Sequence, residues 1–474
     1  MEDNINEVEN TKPVQSEQEK AELARLQTIH EWQVLFRDNP KQGSFKIANE
    51  LVSKHCIKTI GNKKEREIML YENGMYRPGV NQLRFEIQKL LEHLGTNPVK
   101  NEAIEKIKDL TIAERSEFNV DRDYINLANG IFNIKTREIT PHNPDYLFLH
   151  KLPITYNPEA KCPVIQKFLS DILQPEDIPV IQEWFGYCLY RSYFIKKAMI
   201  LVGERDTGKT TLLRLLSTFI GRENVAGISL QRIATDKFAA AQMYNKHINV
   251  YDDLSFKDIH DNGAFKIATG GGIITGEYKF GDQFQFENYA KLVFACNKIP
   301  NVEDANDDAY FSRWIVLQFN QAVEKPDKFL IDKMTTPEEL SGLLNFALEG
   351  LDRLLETHEF SYAKDPDQIK IEMLRSGSII ANFVYDCLIQ SDNQWISKER
   401  MFNSFSEYAK ERKMPAGTIA EFGKKLPKYA SYIHDSRQLQ GNKQITGWRN
   451  VQLKEDIKDA ERAAEIMGGE IIKE

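Results

Sequence analysis

The amino-acid sequence predicts an α/β protein centred on a P-loop nucleotide-binding domain with a parallel sheet and an inserted β-hairpin. Accessory α+β and helical segments precede it and a winged-helix segment follows. Three observations carry this expectation. An apolar strand runs into GERDTGKT and then into a helical pattern. Further apolar strands deliver Asp252-Asp253 and Asn297 at their ends, or begin just after Arg313. A basic C-terminal stretch reads as helices followed by a β wing.

Ala198 to Val202 has the length and branched apolar content of a buried strand. It leads directly into Gly203, Glu204, Arg205, Asp206, Thr207, Gly208, Lys209, Thr210 and Thr211, and the helix-patterned LLRLLSTFI follows. Glycines at this spacing let backbone N–H groups wrap phosphates. Lys209 brings positive charge to the β and γ oxygens, and the Thr210 hydroxyl can ligate Mg²⁺. The helix that follows adds its N-terminal dipole to the same anion site. ATP and Mg²⁺ are therefore the expected cofactors.

A P-loop names a nucleotide and leaves the reaction open, so the downstream strands matter. His247 to Tyr251 reads as a strand with Asp252 and Asp253 at its carboxyl end, where ligands collect in open α/β sheets. Two adjacent carboxylates can divide the work, one holding Mg²⁺ and the other polarising the attacking water. Asp252 is assigned to the metal and Asp253 to the water, with the order open. Lys291 to Cys296 is another apolar strand, and Asn297 at its end could orient the lytic water. Arg313 precedes the strand IVLQF on a loop from which it could reach a phosphate bound to a neighbouring subunit. Ile273 to Phe280 and Gln283 to Tyr289 favour strands around Gly281-Asp282, which predicts a hairpin, either a projecting one or part of an ordinary meander.

Taken in order, these motifs resemble the superfamily 3 helicases, in particular the poxvirus and phage-plasmid primase-helicase branch. The resemblance rests on GERDTGKTT, INVYDDL, KIATGGGIITGEYKFGDQFQFENYAKLVFACN and DAYFSRW, and spans about Pro141 to Phe319. It implies an AAA-like ATPase ring, usually hexameric, that moves along single-stranded DNA from 3′ to 5′ and opens forked duplexes. It also implies that the hairpin is a pore loop. There Lys279, between Tyr278 and Phe280, would combine phosphate attraction with base stacking.

Around this centre, 474 residues with 41% apolar content suffice for two to four globular domains. A net charge of −8 shows no overall nucleic-acid-binding character, so any such contact must be local. There is no membrane-length apolar run and no signal peptide, and a cytoplasmic protein without a membrane partner is expected. Five scattered cysteines lack zinc spacing and suggest no disulfide scaffold.

Residues 1–25 are acidic and polar and read as disordered, and residues 26–140 as an accessory α+β domain. Asp121-Arg122-Asp123 could hold metals, but its flanks favour a structural role. About 140 residues before the helical segment leave little room for a full primase domain, which puts primase activity in question. Residues 141–195 read as a strand and turn followed by amphipathic helices, by resemblance a helical collar for oligomerisation. Trp184, Phe185 and Tyr187 are either interface anchors there or core. Residues 196–378 are the ATPase with a helical lid.

Residues 379–455 form the expected winged helix, and between Trp395 and Lys454 there are 12 basic residues against 5 acidic ones. Lys424, Lys425, Lys428 and Arg449 are its candidate nucleic-acid contacts, with a solvated basic face or a protein-binding wing as alternatives. Residues 456–474 read as a charged tail. The expected function is an ATP-dependent replicative DNA helicase of a virus, plasmid or integrated element, working as a homo-oligomer with a possible primase or polymerase partner. The alternative is a replication initiator whose ATPase acts as an assembly switch.

Overall fold

The structure, a computed structural model, describes residues 17–61, 66–119, 121–255, 262–278, 283–300, 302, 304–323, 326–441 and 443–458. The chain divides into two compact units, one of Met1–Asn126 with Ile139–Lys151, the other of Leu127–Glu138 with Leu152–Glu474.

The first unit joins helices to an antiparallel sheet. Helices α1 (Glu17–Asp38) and α2 (Pro40–Lys54) lead to strands β1 (Ile57–Gly61), β2 (Arg66–Glu72) and β3 (Met75–Pro78), and α3 (Val80–Leu91) and α4 (Asn97–Leu110) follow. Asn73 and Gly74 link β2 to β3 with φ of 50° and 87°, the left-handed pair a two-residue hairpin turn requires. Leu83, Ile87 and Leu91, four residues apart on α3, share one face and bury it against Ile47, Leu51, Leu70 and Ile104. Asp121 Oδ1 accepts the backbone N–H of Asp123 at 2.9 Å, so this acidic pair closes a turn. Short strands β4 (Tyr124–Leu127), β5 (Gly130–Asn133) and β6 (Ile139–Thr140) lie where the chain passes between the units.

In the second unit, α5 (Pro163–Ile172) and α6 (Ile178–Leu189) precede five parallel strands: β7 (Ala198–Gly203), β8 (Val225–Ala226), β9 (Ile248–Tyr251), β12 (Lys291–Cys296) and β13 (Trp314–Phe319). Their spatial order is β13-β7-β12-β9-β8. Between them lie α7 (Lys209–Ile220), α8 (Leu230–Thr235), α9 (Lys237–Ala241), α10 (Gly263–Ala268) and α11 (Asp308–Phe311). Every residue of β12, and Ala198 to Val202 of β7, is buried. Strands covered on both faces read as unbroken apolar runs, which is why the sequence reveals them. The hairpin pairs β10 (Ile273–Glu277) with β11 (Gln283–Glu287) antiparallel. Its inward residues Ile274, Phe284 and Phe286 pack with Tyr244 against the core.

After the sheet come α12 (Leu330–Met334) and α13 (Pro337–Thr357). Trp184, Phe185 and Tyr187 of α6 are each at most 1% exposed, so in this chain they are core. Helices α6 and α13 meet backbone to backbone. A Cβ on Gly350 would stand 2.5 Å from the carbonyl of Gln182, and one on Gly186 would stand 2.3 Å from the oxygen of Ala347. The Glu339 carboxylate on α13 accepts the N–H groups of Val164 and Ile165, capping α5 from outside. Gly350→Ala is expected to destabilise the second unit by about 1–3 kcal/mol, since no flexible side chain can yield. A chemical-denaturation midpoint unchanged from wild type would show that the helices separate at no cost.

The C-terminal part comprises α14 (Pro366–Gly377), α15 (Ile379–Cys387), β14 (Leu388–Ser397), α16 (Lys398–Glu411), α17 (Ile419–Tyr429), β15 (His434–Gln440) and β16 (Lys443–Leu453). The three strands form an antiparallel sheet in the order β14-β16-β15. The sequence suggests one helical region from Gln368 to Ile389; the structure breaks it at Ser378, whose hydroxyl caps α15. From Leu388 the chain is extended because Leu388 and Ile389 pair with Leu453 and Gln452. Strand β15 has no apolar alternation in HDSRQLQ, and its pairing with β16 defines it. Among the described residues, no helix is long and apolar enough to cross a membrane.

Candidate nucleotide site

The site grows from the junction of β7 and α7. Gly203 ends the strand where a Cβ would lie 2.3 Å from the Phe319 oxygen of neighbouring β13. Gly208 has φ 94° and faces Ile172 so closely that a Cβ would stand 2.8 Å from its Cγ2. Both positions therefore need glycine, one for a close approach and the other for its left-handed backbone as well. Asp206 also takes a positive φ of 60°. The loop then opens the N-terminus of α7, whose first backbone N–H groups have no partner within the helix.

Lys209 Nζ donates to the carbonyl oxygens of Gly203 at 2.7 Å and Glu204 at 2.6 Å. Burial pushes its pKa down, with Asp252 the first of several acidic neighbours acting against that. Thr207 Oγ1 donates to Glu204 O, which tightens the loop from within. Thr210 Oγ1 donates to Asp252 Oδ2 at 2.7 Å, joining the helix start to the end of β9. Asp252 Oδ1 accepts the N–H of Asp253, which itself has φ 56°.

Because β12 lies between β7 and β9, its end brings Asn297 between the loop and the acidic pair. The resulting cleft measures about 610 Å³ and is lined by residues 205–211 together with Asp252, Asp253, Cys296 and Asn297. Phosphate-facing backbone, a lysine, and a hydroxyl beside a carboxylate form a donor set suited to a nucleoside triphosphate with Mg²⁺. Thr210 and Asp252 would hold the ion. Cys296, which sequence reasoning passed over, lines the cleft as a thiol that burial pushes up to about 12, so it stays protonated. Its signal was only its place beside Asn297.

Arg313 is elsewhere. Its carbonyl accepts the N–H of Ala198, at the start of β7, and Phe319 rather than Trp314 pairs beside Gly203. Six strand steps at ~3.3 Å each put Arg313 roughly 20 Å along the sheet from the P-loop end. Its Nη1 donates to Ala309 O, its Nε is buried without an acceptor, and burial pushes its pKa down.

The nucleic-acid candidates are dispersed. Lys279 and Phe280 lie outside the described residues. Tyr278 is half exposed, with its ring stacked on Phe284 at 5.0 Å. The outward residues of β10 and β11 include Glu277 and Glu287 and no lysine or arginine. Lys424 and Lys425 are exposed on α17, with Lys428 half-buried there. Arg449 is exposed on β16, beside the buried Trp448 that shares a core with Phe422 and Leu426 of α17.

A parallel α/β sheet with a P-loop at its carboxyl edge defines a nucleotide-binding domain of the P-loop class. Residues 24–174 match the family described as D5 N terminal like, and residues 201–313 match a family of unknown function, DUF5906. The two in tandem are the architecture of phage- and virus-type primase-helicases, and the resemblance drawn from the motifs stands. No curated protein matches the chain. Among solved structures, an apo structure of the NrS-1 C-terminal region is similar at a TM-score of 0.47 and 13% identity, covering 86% of this chain and 99% of that one. The A-form apo structure of the same region gives a TM-score of 0.45 and 13% identity, over 85% and 97%.

Proposed function

We propose that the protein is an ATP-dependent DNA helicase of viral or mobile-element replication that acts as a ring of like subunits, with a hexamer as the expected form. One observation carries the reading. Lys209, the Thr210–Asp252 pair, Asp253 and Asn297 converge on one cleft, whereas Arg313 stands at the other end of the same sheet. A single chain thus gathers the lysine, hydroxyl, carboxylates and amide of a hydrolytic site while Arg313 stands apart from it, and in an assembly of like subunits Arg313 can serve a neighbour's cleft.

In this reading Lys209 leaves the carbonyls of Gly203 and Glu204 to bind β and γ oxygens, and the N-terminus of α7 orients the phosphates. Mg²⁺, when bound, supplies charge neutralisation on those oxygens. Asp253 accepts a proton from the attacking water and Asn297 aligns that water with the γ-phosphorus. Arg313 of an adjacent copy stabilises the charge that develops on the transferred group. The β10–β11 hairpin follows the single strand in the ring's pore. The α15–β16 part acts as a winged helix, with Lys424, Lys425, Lys428 and Arg449 as phosphate contacts, and α5 and α6 belong to the collar. Translocation from 3′ to 5′ follows from the resemblance.

Turnover of ATP should rise several-fold with single-stranded DNA, and a forked duplex should be unwound in an ATP-dependent manner. Retained turnover and site-specific duplex binding without unwinding would instead favour the initiator switch.

A further inference from the structure

We propose that Asp307 is a positioning residue that joins the Arg313 loop to the helix at the root of the β10–β11 hairpin, so that the two shift together. The inference rests on the helicase reading above and adds a residue that reading does not contain. Asp307 Oδ2 accepts from Lys266 Nζ at 2.7 Å and from Asn262 Nδ2 at 2.8 Å, one group on α10 and the other at its N-cap. Its Oδ1 accepts the backbone N–H of Tyr310 at 3.0 Å and so caps α11, which ends just before Ser312 and Arg313. The carboxylate is 13% exposed. Burial alone would raise its pKa, but Lys266 and Asn262 outweigh burial and hold it below the usual carboxylate range.

Apolar contacts repeat the connection. Phe265, next to Lys266 on α10, stacks face to face on Trp314 at 4.6 Å and meets Tyr310 at 5.4 Å. Trp314 is the residue after Arg313. At its other end α10 holds both sides of the hairpin. The N–H groups of Gly270 and Gly272, which lead into β10, donate to Ile267 O. Asn288, just after β11, is buried and its Nδ2 donates to Ala268 O at 2.8 Å. A displacement of the hairpin base is therefore passed through one short helix to the arginine loop. Lys370 on α14 meets that loop separately, at Asp308.

The test uses the full chain and compares ATP turnover with and without a single-stranded oligonucleotide. Asp307→Asn keeps a helix-capping side chain and removes the charge, while Lys266→Met keeps the stem and removes the ammonium. Each is expected to bring the DNA stimulation ratio most of the way down to one, a loss of coupling between sites. The double variant should be no worse than either single one, and Lys266→Asp with Asp307→Lys should regain part of the ratio. Affinity for a fluorescent ATP analogue should stay near wild type, which a general loss of folding would not allow. An unchanged ratio in either single variant, or a ratio that falls only in step with nucleotide affinity and melting temperature, overturns the proposal while leaving the helicase reading intact. A wild-type protein that DNA does not stimulate overturns that reading and this inference with it.

Discussion

Arg313→Ala is expected to lower ATP turnover by about 10³-fold or more, the range associated with an arginine finger, while nucleotide affinity stays near wild type. The asymmetry follows from position. Arg313 precedes β13 at the sheet edge opposite Gly203, so it cannot add to binding in its own cleft. Its backbone bond to Ala198 survives the substitution, while the Nη1 bond to Ala309 O and the attraction to Asp307 are lost. The mixing behaviour is the sharper measurement. Titrating the variant into wild-type protein should remove more activity than dilution alone, because each variant copy disables a neighbour's intact cleft. Losses proportional to dilution, or a parallel loss of nucleotide affinity, would place Arg313 outside the trans role.

The second large effect belongs to Lys209. Lys209→Ala should reduce turnover by about 10²–10³-fold, the loss seen when one preorganised charge-stabilising donor is removed. Unlike Arg313→Ala, it should also weaken nucleotide binding, since the ammonium lies in the cleft itself. Lys209→Arg should not restore activity. The lysine reaches the oxygens of Gly203 and Glu204 as a point donor in a nearly buried position, and a planar guanidinium has another shape. Variant proteins that bind and hydrolyse ATP like wild type would remove the P-loop from the mechanism. In mixtures, the Lys209 variant still offers Arg313 to its neighbour, so its dominance should be weaker than that of Arg313→Ala.

Much of the nucleotide site was legible because its parts are local. Gly203 to Thr211 is contiguous, and Asp252, Asp253 and Asn297 each follow a short, mostly apolar run of strand length. The hairpin was legible too, from two β-favouring runs separated by a turn. The strand β15 and the end of α15 at Cys387 were not. A polar edge strand carries no periodic signal, and a helix that stops because its continuation pairs with β16 looks helical until that partner is known.

By itself, then, the sequence determined the loop of the candidate cleft, because backbone turn, charge and hydroxyl sit within nine consecutive positions. It also marked four of the five parallel strands, β7, β9, β12 and β13, as short apolar runs, whereas the two-residue β8 carries no such signal. Only the tertiary structure decided the order in which those strands pair. That order puts Asn297 between the P-loop and Asp252, and the parallel pairing of β13 with β7 leaves Arg313 at the opposite end of the sheet. It also decided that Asp307 meets Lys266, 41 residues away, and that the outward face of the hairpin bears Glu277 and Glu287. The physical reason is that crossover connections leave strand neighbours unspecified locally. Side chains distant in sequence meet only once the sheet has chosen its order.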